Sequence, residues 1–130
     1  MVSNRTPAAE RRLELARDPA SPGEARHFVE RLLREHQAPE AAVQNALLVS
    51  SELITNAYTH GQGRIELRVK VGDDRVRIEV VDEGRDQAPA VRQQHPDEFG
   101  GWGLRLVDHL TIQWGVFEGT THVWADIALT

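Results

Sequence analysis

The stretch Arg64–Asp82, "RIELRVKVGDDRVRIEVVD", decides the fold. Ile65, Leu67, Val69 and Val71 alternate with polar residues, and Val76, Ile78 and Val80 do so again after the "GDD" at 72–74. A period of two places each apolar set on one face of a strand, and a Gly-Asp-Asp interruption is turn chemistry. The segment is therefore a β-hairpin with one apolar face, which a second layer has to cover.

The flanking sequence supplies that layer. "SPGEARHFVERLLREH" (21–36) offers Ser21 as N-cap, Pro22 at the first helical position and Glu24 three residues after the serine, a capping box. Ala25, Phe28, Val29, Leu32 and Leu33 follow at helical spacing. A longer helix from about Pro39 to Thr59 carries Val43, Ala46, Leu47, Leu53, Ile54 and Ala57 as its core stripe, and Gly61 is placed to end it in a left-handed conformation. "RRLELARD" (11–18) alternates Leu13 and Leu15 as a short edge strand.

Downstream of the hairpin, residues 83–100 are rich in Gly, Pro, Gln and charge without an apolar period, and read as a mobile loop. "GWGLRLVDHL" (101–110) places Leu104, Val107 and Leu110 on a short helix, and "TIQWGVFEGTTHVWADIAL" (111–129) reads as two strands around "EGT". The order strand, helix, helix, two strands, loop, helix, two strands predicts an α+β fold. It is a two-layer sandwich, with a mixed, mostly antiparallel sheet and helices on one face. Residues 1–10 read as a flexible terminus and 11–130 as one domain, since compact domains commonly run to ~100–150 residues.

Composition narrows the chemistry. The chain has no cysteine, which removes disulfides, thiolate metal sites and cysteine nucleophiles. Its net charge is -5, and its 15 basic residues, of which Lys70 is the single lysine, form no basic stripe, so neither DNA nor RNA is an expected partner. No apolar run approaches the ~20 residues that span a bilayer, and "MVSNRTPAAERR" lacks the apolar core of a secretory leader. The expectation is a cytoplasmic protein with no membrane association. Binding a polyanion such as a nucleotide would require a metal ion and backbone amides to supply positive potential.

Three short motifs carry candidate chemistry. In "SSELITNAYTHG" (50–61), Glu52 and Asn56 lie four residues apart and so project from one helix face. Such a pair decorates many solvated helices. It also suits a neutral Mg²⁺ ligand, the Asn56 carbonyl oxygen, one turn from a general base, Glu52. In "VVDEGRD" (80–86), Asp82 ends a strand and Gly84 follows, an ordinary turn pattern. The same carboxylate can accept a hydrogen bond from an exocyclic amine such as adenine N6, while the glycine lets a ring approach the backbone. "GGWGL" (100–104) opens a helix and can aim backbone N–H groups at a phosphate, although a lone GxG is weak by itself.

Taken together and in order, these segments resemble the boxes of the GHKL or Bergerat-fold ATPases, and within them the short anti-sigma factor serine/threonine kinases of bacteria. "SSELITNAYTHG" resembles the N box, "VVDEGRD" the G1 box and "GGWGLRLVDHL" the G2 box, over roughly residues 11–129. The resemblance implies ATP and Mg²⁺ held between a four- or five-stranded sheet and its helices. Glu52 would be the catalytic base, Asn56 the Mg²⁺ ligand and Asp82 the acceptor of the adenine amine, with Gly84 giving the base room. Gly101 and Gly103 would hinge a lid formed by residues 85–99 and offer amides to the phosphates, with Leu104 beside them in the box. Thr121 stands as an adenine-side candidate, because His122 occupies the place where the family often has a threonine. His122 itself is expected to be a strand residue and not a ligand. Arg85, Arg92 and Arg105 are candidates to assist the transferring charge.

The implied partners are a sigma factor, which the kinase sequesters, and an anti-sigma factor antagonist, which it phosphorylates. A homodimer through the first strand and helix is compatible with the same resemblance. A binding-only ATP module with the same partners is the alternative. A sensor histidine kinase or a gyrase-like ATPase is disfavoured, since each would need further domains.

Overall fold

The computed structural model describes residues 9–84, 101–117 and 122–130, with side chains from position 10 in the first segment and 105 in the second. The hairpin forms as its alternation predicts: β2 (Ile65–Val71) pairs antiparallel with β3 (Arg75–Asp82), Leu67 opposite Val80 and Val69 opposite Ile78. β1 (Ala9–Leu15) lines up against the outer edge of β2, with Leu13 opposite Leu67 and Leu15 opposite Ile65. On the other side β5 (Val123–Ala128) pairs with β3, and β4 (Gln113–Val116) closes the far edge, giving the order β1-β2-β3-β5-β4. All four strand pairings among the described residues are antiparallel.

Two long helices, α1 (Ser21–Glu35) and α2 (Glu40–His60), and the shorter α3 (Gly101–Leu110) form the second layer. α2 lies against α1, α3, β2, β3 and β5, so it is the central strut of the molecule. Val43, Ala46, Val49, Leu53 and Ile54 of α2 are fully buried against Ile65, Leu67, Ile78 and Ile127 of the sheet. Each such aliphatic side chain contributes ~1.5–3 kcal/mol by leaving water, which is why the two-fold and helical periods together specify the layers. No helix among the described residues is long and apolar enough to cross a membrane.

Two local expectations fail. Ser21 does not cap α1: it is the first helical residue, wholly buried, and its hydroxyl donates to the Ala16 carbonyl. Ala20 is the N-cap, with no side-chain bond to the helix, and Asp18 Oδ1 accepts from the Ala20 N–H at 2.7 Å. The capping box therefore gives way to an Asx turn one step upstream, because the buried serine finds its acceptor in the β1–α1 connection. Gly61 does not end α2 in a left-handed conformation either; its φ of -92° and ψ of -165° are extended. The left-handed residue comes two positions later, at Gly63, with φ 69°.

The face of the sheet turned away from the helices is charged, yet two of its carboxylates are buried, Glu79 2 % and Asp126 1 % exposed. Arg77 grips Asp126 with both ends of its fork, Nε to Oδ1 at 2.7 Å and Nη2 to Oδ2 at 3.0 Å, while its guanidinium stacks 4.4 Å from the Trp124 ring. His122 Nε2 lies 2.9 Å from Glu79 Oε1, and its ring packs 4.3 Å from Phe117. Lys70 adds a contact to Glu79 at 3.4 Å.

Burial pushes the His122 imidazole below its ordinary 6.5, against the pull of Glu79, which would raise it. The unfolded chain thus takes up a proton before the folded one does as pH falls through about 6.5, and the stability held by neutral His122 is lost below that value. Burial works to raise the Glu79 carboxyl, but the hydrogen bond from His122 and the charge of Lys70 hold it below its ordinary 4.5, so its contribution disappears only at more acid pH. The melting temperature is expected to decline between pH 7 and 5. His122→Gln, which keeps a donor for Glu79, should flatten that limb; an unaltered slope in the variant would assign the decline to other groups.

Candidate functional site

The second half of α2 carries Ser50, Ser51, Glu52 and Asn56, polar side chains with different fates. Ser50 is buried and donates to the Leu47 carbonyl at 3.1 Å, and Ser51 accepts from Arg26 Nη1 of α1 at 3.2 Å. Glu52 and Asn56 are half-buried, one turn apart, and neither makes a hydrogen bond or ion pair among the described residues. Leu53, Ile54 and Ala57 hold this turn in the core, so both polar groups are presented on a rigid support. Half-buried polar groups left unused by the fold are available to water or to a ligand.

Asp82 lies at the other end of the same arrangement. It is the last residue of β3, its Oδ1 accepts the Gly84 N–H at 2.6 Å, and its Oδ2 rests over the α-carbon of Gly61, just past the end of α2. A Cβ at Gly61 would stand 2.0 Å from that oxygen and 2.7 Å from the Ala57 carbonyl. Glycine is therefore required at 61 for space, not for backbone conformation. The Glu83 N–H donates to the Gln62 carbonyl at 2.8 Å and the Arg64 N–H to Glu83 Oε1 at 3.1 Å, so the turn after β3 and the connector after α2 are stitched together.

Gly61→Ala should cost about 1–3 kcal/mol, the range for overpacking a closed site. That corresponds to several degrees of melting temperature. A variant melting with the wild type would mean that Asp82 moves aside freely.

Gly61 follows Asn56 by five residues, and at ~1.5 Å per residue the Asp82 carboxylate sits about 7 Å further along the helix axis. The Glu52–Asn56 pair and Asp82 thus address different atoms of anything bound between them.

The third motif opens α3, which packs along α2. Gly101, Gly103 and Leu104 form its first turn, so its first backbone N–H groups and positive dipole end coincide with the GxG. Arg105 is exposed one residue later. The far end of α3 is anchored, with Val107 buried and the Thr111 hydroxyl donating to the Val107 carbonyl at 2.8 Å. Arg85, Arg92, the loop 85–99 and Thr121 lie outside the described residues.

His122 lies just ahead of β5 and not within it, and its bond to Glu79 puts it on the sheet face opposite α2. Among the described residues no group of three or more His, Cys, Asp or Glu side chains gathers to hold a metal ion. Gly61 was read from the sequence only as a helix end, and its role as the floor beneath Asp82 had no local signal.

A comparison with curated proteins finds no match. Among solved structures, the chain is similar to the crystal structure of the RsbU and RsbW domains of Rv1364c from Mycobacterium tuberculosis, with a TM-score of 0.67 and 20 % identity. That likeness covers 92 % of this chain and 31 % of the mycobacterial one, so this chain spans about a third of its length. At such identity the similarity speaks to the fold. A profile of the histidine kinase-like ATPase domain matches residues 15–125, which include α2, the hairpin, the Asp82 turn and α3. The chain belongs to the histidine kinase-like ATPase family.

Proposed function

We propose that the chain binds Mg-ATP between α2, the end of β3 and the start of α3, and transfers the γ-phosphoryl group to a serine or threonine of an anti-sigma factor antagonist. In the same reading it sequesters a sigma factor in the cytoplasm. The observation that carries this is the pair Glu52 and Asn56, presented on a rigid turn with no partner among the described residues, on the helix whose end at Gly61 lies beneath the Asp82 carboxylate. The similar mycobacterial structure, of RsbU and RsbW domains, shares the fold that this reading needs.

The donor set fits the implied ion. One neutral carbonyl oxygen, from Asn56, with no cluster of acidic ligands among the described residues, suits an ion that takes its remaining ligands from phosphates and water. Mg²⁺ bound there would neutralise phosphate charge that an acidic protein cannot. The chain's own groups do the rest. Asp82 accepts from the adenine amine, with Gly84 leaving space for the ring. Gly101, Gly103 and Leu104 offer backbone N–H groups of α3 to phosphate oxygens. The Glu52 carboxylate takes the proton of the attacking hydroxyl. Thr121 keeps its adenine-side candidacy.

A binding-only module has one observation in its favour: no described residue orients Glu52, whereas a general base is often held by a neighbour. Incubation with γ-labelled ATP, Mg²⁺ and candidate antagonist domains, followed by mapping of phosphoserine, separates the two. Label on a single serine or threonine supports the kinase. ATP-dependent stabilisation without label supports the module, and a melting temperature indifferent to ATP removes the nucleotide reading.

A further inference from the structure

Arg17 lies in the connection between β1 and α1, far in sequence from every motif, yet its guanidinium ends on the site helix. Nη1 donates to the carbonyls of Ala57 at 2.7 Å and Tyr58 at 2.5 Å, and Nε donates to the carbonyl of Gly63 at 3.0 Å. Ala57 and Tyr58 belong to the last turn of α2, where the negative dipole end favours a cation; the Ala57 carbonyl also accepts the Gly61 N–H at 2.9 Å. Gly63 lies beyond the helix, in the connector whose Gly61 supports the Asp82 carboxylate and whose Gln62 binds Glu83. One side chain therefore spans the helix end and the connector, bracketing Gly61 from both sides.

Charge alone does not explain this choice. A lysine would supply the same charge to the helix end, whereas the third guanidinium nitrogen, Nη2, is buried with no acceptor among the described residues. Burying an unsatisfied donor is costly. What only the planar fork supplies is the simultaneous reach to two separate pieces of backbone.

We propose that Arg17 is a positioning residue for the base-recognition end of the site: by clamping Gly63 to the last turn of α2 it holds the Gly61 platform, and through it the Asp82 carboxylate. It thereby sets discrimination between a 6-aminopurine nucleotide, whose exocyclic amine can donate to Asp82, and a 6-oxopurine nucleotide, whose exocyclic oxygen is an acceptor. The inference rests on the proposed role of Asp82.

The experiment measures ATP and inosine triphosphate affinities, with Mg²⁺, for the wild type, Arg17→Lys and Arg17→Met, together with their melting temperatures. A hydrogen bond to a charged group predicts that the wild type prefers ATP by about tenfold or more. Arg17→Lys, which keeps the cation at the helix end, should retain most of the melting temperature while ATP weakens towards inosine triphosphate and the preference collapses. Arg17→Met should lose both stability and preference; if it does not fold, Arg17→Lys still decides. Parallel weakening of both nucleotides with an unchanged preference in Arg17→Lys would reduce Arg17 to a structural clamp and overturn the inference alone. A wild type that binds both nucleotides equally would overturn the Asp82 reading and this inference with it.

Discussion

Glu52→Ala is expected to lower phosphoryl transfer to an antagonist domain by about 10²–10⁴-fold, the span that a positioned general base contributes. ATP binding should be largely kept. The separation follows from where the side chain sits: Glu52 is half-buried on α2, engages no described neighbour, and is flanked by Leu53 and Ile54, which hold the turn in the core without it. Its removal leaves no orphaned partner, so the stability change should stay within about 0.5 kcal/mol. Labelled transfer and an ATP-dependent melt, run on the same preparation, check both halves. Undiminished transfer would sink the base assignment, and loss of ATP binding alongside transfer would make Glu52 a binding residue.

For Asn56→Ala the expected loss is in binding itself. A ligand at a hundredfold excess over its Kd stabilises the folded state by about 2.7 kcal/mol. That increment should vanish when the carbonyl oxygen offered to Mg²⁺ is removed. The variant should melt close to the wild type without nucleotide, because Asn56 makes no internal hydrogen bond among the described residues. Melts with ATP and Mg²⁺, with ATP and EDTA, and without either give the comparison. Retention of the full Mg²⁺-dependent shift would place the metal ligand elsewhere.

Both positions are legible in the sequence, and the reason is local. Glu52 and Asn56 share a face because any α-helix repeats at 3.6 residues, and the hairpin was legible because any strand alternates. The GxG of α3 follows the same logic, since a helix start is set by its own first turn. The errors arose where a residue answers to distant atoms. Ser21 had the right spacing for a cap, but the Ala16 carbonyl took its hydroxyl. Gly61 has the right position for a left-handed end, but its backbone is extended, and the need for glycine there comes from Asp82, on a strand two elements away, which leaves no space for a Cβ.

By itself the sequence determined the layers and the three motifs: period-two alternation, helical stripes and glycine-opened turns are properties of a few consecutive residues, and burial of their apolar faces leaves little choice of architecture. Only the tertiary structure decided which groups meet. It laid Asp82 over Gly61, turned His122 to Glu79 on the far face of the sheet, and carried Arg17 across 46 positions to the Gly63 carbonyl. Such contacts depend on how β1, α1 and α2 pack around one core, and a pairing created by packing leaves no period in the chain for sequence reasoning to find.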